Sequence, residues 1–129
     1  MTTTIYLTAA SVEPLSLSAI MPTETDIFDL FIGDDWSIPF EFDPAANITG
    51  FALAFRLYLP NAEAPVIEKT LADGDIVVTN AATGVGTIEV PADETEDLEP
   101  IRYYFECART DAGNKKVYGY GKIVLQHRT

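Results

Sequence analysis

Group-transfer chemistry would need a nucleophile with a base beside it, and this chain offers one cysteine, Cys107, and one histidine, His127. A Ser or Cys nucleophile is activated only when the base lies within hydrogen-bond reach. His127 stands close to the C-terminus and reads as part of a frayed tail, while Cys107 falls inside an alternating run and reads as a small buried hydrophobe. One cysteine and one histidine cannot supply the several closely spaced ligands of a zinc site. Carboxylates are plentiful: Asp93, Glu94, Glu96, Asp97 and Glu99 surround Leu98, and Asp73 and Asp75 flank Gly74. Neither group has the ordered alternation and central glycine of an EF-hand loop, so both read as solvated acidic loops rather than calcium sites. Glycoside hydrolysis needs two acids at a fixed separation across a cleft, and no aromatic-lined cleft accompanies these. The Gly84-Val85-Gly86 and Gly119-Tyr120-Gly121 pairs are followed neither by a helix start nor by a Lys-Ser/Thr step, so they read as turn and close-packing glycines, not phosphate cradles. The expectation is a protein with no catalytic residues, no cofactor-binding residues and no metal, that is, not an enzyme.

The elements that would carry any site are legible from alternation. Trp36, Ile38, Phe40 and Phe42 recur at every second position, the pattern of a strand with one dry face. These four large side chains, the only Trp among them, predict the floor of a core. Pro39 on the outward side of that strand argues for an edge, a bulge or a strand change, because a central ladder would miss its N–H. Phe51, Leu53, Phe55, Leu57 and Leu59 share one face of a second strand, with Arg56 and Tyr58 on the other. Further strands are expected over 66–71, 76–79, 86–90, 103–109 and through a long last run to Leu125, with turns at Asp73-Gly74, at 80–84 and at 111–114. Phe28, Leu30 and Ile32 alternate ahead of the Gly33-Asp34-Asp35 turn, and the acidic stretch 91–100 reads as a short helical turn plugged by Leu98. Gly119 and Gly121 are expected to let the backbone lie close to a large neighbour such as Trp36. No segment sustains a 3.6-residue apolar period, so the fold class is all-β, an antiparallel β-sandwich.

At 129 residues the chain is long enough for one domain with one core. Its net charge of −12 repels phosphate backbones and anionic lipid, which excludes nucleic acid and membrane surfaces as expected partners. The start has no basic n-region and no long apolar core of a signal peptide, and no apolar run approaches the ~20 residues of a membrane span. The chain is divided into residues 1–25, an N-terminal arm or an extra strand of the same sandwich, and residues 26–129, the sandwich itself. Ile5, Tyr6 and Leu7 form the apolar centre of the arm and are the first candidate contact residues, because a terminal segment gains order only when tied to something else. Tyr104, Tyr118 and Tyr120 are expected to point outward on the last two long strands, as interface residues or as ordinary cross-strand cover. Six of the eight basic residues fall late, at Arg102, Arg109, Lys115, Lys116, Lys122 and Arg128. Set against an acidic loop such as 93–99 of another copy, they would orient head-to-tail assembly; otherwise they balance nearby acids.

The order of these marks carries a resemblance. Phe31-Ile32-Gly33-Asp34-Asp35-Trp36, then Pro39-Phe40-Glu41-Phe42, Ile48-Thr49-Gly50-Phe51, Arg56, Gly84 before residues 87–92, Thr95, Leu98, residues 103–111 with Gly113, and Gly121-Lys122-Ile123 together resemble small immunoglobulin-like proteins of tailed bacteriophages. They are most similar to the N-terminal domain type of phage upper-baseplate proteins, over about residues 26–126. The resemblance implies an immunoglobulin-like β-sandwich with an N-terminal extension. It also implies a virion structural role in the tail, baseplate or fibre region, in a protein made in the bacterial host cytoplasm. Docking on other virion structural proteins and on copies of itself would be its mode of action. The chain departs from the pattern in its longer lead, in starting the Tyr103 strand after Pro100-Ile101 without a glycine, and in lacking a long C-terminal fibre region. The last of these departures argues against direct host-receptor binding by this chain and favours a standalone attachment or decoration subunit. A capsid decoration protein and a carbohydrate-binding module reading a host glycan through the tyrosines are the alternatives.

Overall fold

The four-residue alternation becomes β3 (Trp36–Phe42), with Trp36, Ile38, Phe40 and Phe42 all buried and Ser37 and Glu41 exposed. The computed structural model describes residues 14–28 and 30–127. Around β3, in chain order, are β1 (Leu15–Leu17), β2 (Thr23–Glu24), β4 (Leu53–Tyr58), β5 (Ile67–Thr70), β6 (Ile76–Asn80), β7 (Val85–Val90), the single turn of helix α1 (Ala92–Thr95), β8 (Arg102–Arg109) and β9 (Lys116–Val124). Among the described residues they form two sheets, one ordered β1-β3-β7-β6 and the other β2-β9-β8-β4-β5. The chain is an all-β sandwich. Phe55 and Leu57 of β4, Tyr103 and Phe105 of β8 and Ile123 of β9 meet Trp36, Ile38 and Ile88 between the sheets, and each such burial is worth about 1.5–3 kcal/mol.

The long ladders are antiparallel, and two short parallel pairings join them at the rims. Both come from the N-terminal lead. Residues 15–17 lie parallel to β3, with Leu15 and Leu17 buried, and residues 23–24 lie parallel to β9. Residues 15–17 and 23–24 are thus short strands, one at the edge of each sheet. Pro39 is tolerated for a related reason. The Phe42 N–H donates to Gly84 O, just ahead of β7, so alternate N–H groups of β3 point toward β7 and the Pro39 nitrogen points to the β1 side. There the β1 pairing begins only at Phe40.

The lead also explains Gly119 and Gly121. A Cβ at Gly119 would stand 2.5 Å from Leu17 Cδ2, and one at Gly121 only 1.7 Å from Thr25 O. The close neighbour, expected to be a large side chain such as Trp36, is instead the incoming N-terminal segment. Residues 25–27 run on beside β9, with Ile27 N–H donating to Lys122 O at 2.8 Å. The strand expected over 28–32 is replaced by isolated bridges at Ile27 and Phe31, and Phe28 is exposed while Leu30 is buried.

The Gly33-Asp34-Asp35 turn is pinned by α1. Thr95, fully buried, accepts the Gly33 N–H (3.1 Å) and donates to Asp34 O (2.8 Å), while Asp35 Oδ1 accepts the Ala92 N–H (2.7 Å). Leu98, expected as the plug, packs half-buried on the core. Thr95 is the residue this turn closes on.

Candidate functional site

Outward-pointing residues of β4, β8 and β9 obey the two-residue alternation, and their registers assemble a face that no single strand reveals. Glu68 pairs with Arg56, Arg56 with Glu106, Glu106 with Tyr120, and Tyr120 with Glu24, one row crossing all five strands of the larger sheet. A second row runs Tyr58, Tyr104, Lys122. Arg56 ties the first row together: its Nε donates to Glu68 Oε2 at 2.6 Å and its Nη1 to Glu106 Oε2 at 3.1 Å. Tyr58 Oη donates to the same Glu106 oxygen at 3.2 Å. The hydrogen bond to Glu68, with that to Glu106, holds the Arg56 pKa above its ordinary value. Partial burial and then the Glu106 charge raise that of Tyr58, so its hydroxyl stays a donor. These are surface pairs in high dielectric, each worth under about 1 kcal/mol, so their effect is to hold side chains in place more than to stabilise the fold.

Between the rows lies a shallow depression of about 310 Å³ lined by Tyr58, Tyr104, Tyr120, Glu24, Glu106 and Lys122. Tyr104 and Tyr120 are 38% and 43% exposed, the tyrosine rings most open to solvent on this face. Tyrosine offers a large apolar face and a hydrogen-bonding tip at low entropic cost, which suits a surface that is covered on assembly.

The candidate residues therefore separate. Tyr104 and Tyr120 come together on this face. Tyr118, expected beside them, is corrected to the core: it is 4% exposed, its ring packing edge-on against Phe42 at 5.1 Å and stacked on Phe51 at 6.2 Å. The cause is a bulge in β9, where Val117 pairs with Ala108 and Gly119 with Cys107, so Tyr118 is the extra residue. One inserted residue turns every side chain before it to the opposite face. Ile5, Tyr6 and Leu7 lie outside the described residues. Sequence reasoning passed over Glu106, Glu24 and Glu68 as partners of this surface. Outward alternation marked Glu106, but the row it belongs to exists only in the pairing of strands distant in sequence.

Cys107 is buried in the sheet, and burial pushes its thiol up to about 12, far from a reactive thiolate. His127 is exposed beyond the end of β9 and is not brought to it. Among the described residues no three His, Cys, Asp or Glu side chains gather as a metal site, and no helix is long and apolar enough to cross a membrane.

No family model and no curated protein matches the chain. The fold does have a likeness among solved structures. It is similar to the N-terminal domain of phage TP901-1 ORF48, with a TM-score of 0.52 and 13% identity, over 87% of this chain and 95% of that one. At that identity the likeness is one of fold. The β-sandwich expected from alternation is thus shared with a phage domain.

Proposed function

We propose that this chain is a non-enzymatic virion structural protein of a tailed phage, an adaptor or attachment subunit of the tail or baseplate. In this reading it acts by docking the outer face of its five-stranded sheet on another virion protein. The observation that carries the reading is the two-row surface around Tyr104 and Tyr120, braced by Arg56 and Glu106, on a sandwich similar in fold to a phage domain. The strand orders β1-β3-β7-β6 and β2-β9-β8-β4-β5 contain the A-B-E-D and G-F-C-C′ orders of an immunoglobulin sandwich, with β1 parallel to β3 as a departure, and that order supports the immunoglobulin-like assignment. Mass spectrometry of purified tails against purified heads tests the location. Enrichment in tails is expected, and enrichment in heads would favour a capsid decoration protein. A second reading, a module that stacks a host glycan on Tyr58, Tyr104 and Tyr120, draws on the depression those rings line beside Glu24 and Glu106. Saturable binding on a glycan array, lost in Tyr120→Ala, would replace protein docking with sugar recognition.

A further inference from the structure

Strand β8 runs from an acidic end of the larger sheet, with Arg102 at its start, to an end that carries two lysines without a described carboxylate partner. Before Arg102 lie Asp93, Glu94, Glu96, Asp97 and Glu99, all exposed. The loop is anchored by Tyr103 Oη, which accepts the Glu99 N–H (3.0 Å) and donates to Glu99 O (3.2 Å). Of these acids only Glu94 has a basic partner among the described residues, the buried Lys69. Past Arg109, the turn into β9 carries Lys115 and Lys116, both exposed and neither within ion-pair distance of a described carboxylate. Asp111, the acid of that turn, is already engaged by Arg109 Nη2 at 2.9 Å and the Ala52 N–H at 2.6 Å.

This basic end is also concave and partly apolar. A depression of about 520 Å³ is lined by Arg56, Glu106, Arg109, Thr110, Lys115 and Lys116. Lys116 Nζ donates to Ala19 O at 2.6 Å, which sets Ile20 and Met21 beside it, 74% and 72% exposed. At the acidic end Ile101 is open in turn. Eight strand residues at about 3.3 Å each hold the two ends roughly 25 Å apart, several Debye lengths at physiological salt. Neither end can neutralise the other within one molecule.

We infer that the acidic 93–99 loop of one copy docks in the basic depression of the next, covering Ile20 and Met21, so that copies associate head to tail. Such a contact joins two different patches and closes into a ring or continues as a row. It borders the tyrosine face, sharing Arg56 and Glu106 with it but none of its tyrosines, and it rests on the reading of the chain as an assembly subunit.

Sedimentation of the full chain over a concentration series tests it. Association is expected at low salt, weakened at least tenfold in 0.5 M NaCl. The variants Lys115→Glu/Lys116→Glu and Glu96→Lys/Asp97→Lys should each be monomeric alone and associate when mixed, because each then supplies the charge the other's altered end needs. A wild-type chain that stays monomeric at low salt, or variants that associate as the wild type does, would overturn the inference, as would a mixture that stays monomeric. Binding of the wild type to purified tails is read alongside. A wild type that binds tails but stays monomeric overturns this contact alone, and a wild type that does not bind tails overturns the broader reading.

Discussion

The two sheets share one core and turn unlike faces to solvent. The outer side of the four-stranded sheet presents Ser37, Pro39 and Glu41 from β3, Thr87 and Glu89 from β7, and Val77 and Thr79 from β6, with Ser37 Oγ donating to Glu89 Oε2 at 2.7 Å. Among the described residues this face carries no aromatic ring and no basic side chain. The five-stranded sheet presents three tyrosines, Arg56 and Lys122 with carboxylates between them. Inward positions of both sheets answer to the same demand, dense packing of apolar side chains. Outward positions are free of that demand, so the contrast between the faces is not imposed by the core, and the proposed docking draws on it.

The largest expected effect separates two tyrosines of one strand. Tyr118→Ala removes a buried ring from Phe42 and Phe51 and should cost about 3–4 kcal/mol in urea unfolding, while Tyr120→Ala, on the surface, should stay within about 0.5 kcal/mol. Similar losses for both would erase the assigned inside and outside of β9. Gly121→Ala should approach the larger value, about 2–3 kcal/mol, because its new methyl meets the Thr25 carbonyl in a backbone that can barely retreat.

Docking should divide the faces next. Tyr104→Ala/Tyr120→Ala is expected to weaken binding to purified tails at least tenfold with the fold unchanged by circular dichroism, whereas Glu41→Ala/Thr87→Ala on the opposite face should leave binding intact. The reverse pattern would move the contact to the other sheet. Arg56→Ala sharpens the point, since its side-chain exposure of 27% caps its stability contribution near 1 kcal/mol, so a loss of docking exceeding that of folding would mark it as an organiser of the face.

The smallest effect lies in acid. The hydrogen bond from Arg109, then that from the Ala52 N–H, lowers the Asp111 pKa from its ordinary 3.8. A depressed folded pKa means the contribution is present above that ordinary value and is lost as pH falls through the lower one. Stability from pH 7 to about 4 should therefore be indifferent to this group, and Asp111→Asn should flatten only the decline below pH 4. A variant effect centred near neutral pH would contradict the pairing.

Much of this was readable without coordinates because a strand's burial is local. Trp36, Ile38, Phe40 and Phe42 declare their dry face by spacing alone, and the same holds for Leu53, Phe55 and Leu57. The candidate site was only half legible. Tyr104 and Tyr120 follow the alternation of their strands, but Tyr118 reads the same way until the bulge is known, and no residue type around Val117 announces it. Leu15 and Leu17 alternate clearly, yet their pairing parallel to β3 depends on where the chain turns back.

Composition and two-residue periodicity by themselves determined that this chain folds as strands around an aromatic core. Only the tertiary structure decided which outward side chains stand together. The row from Glu68 through Arg56, Glu106 and Tyr120 to Glu24 joins residues up to 96 positions apart. The physical reason is that alternation is a property of one strand, whereas a surface is a property of register, and register is set by the packing of all strands at once.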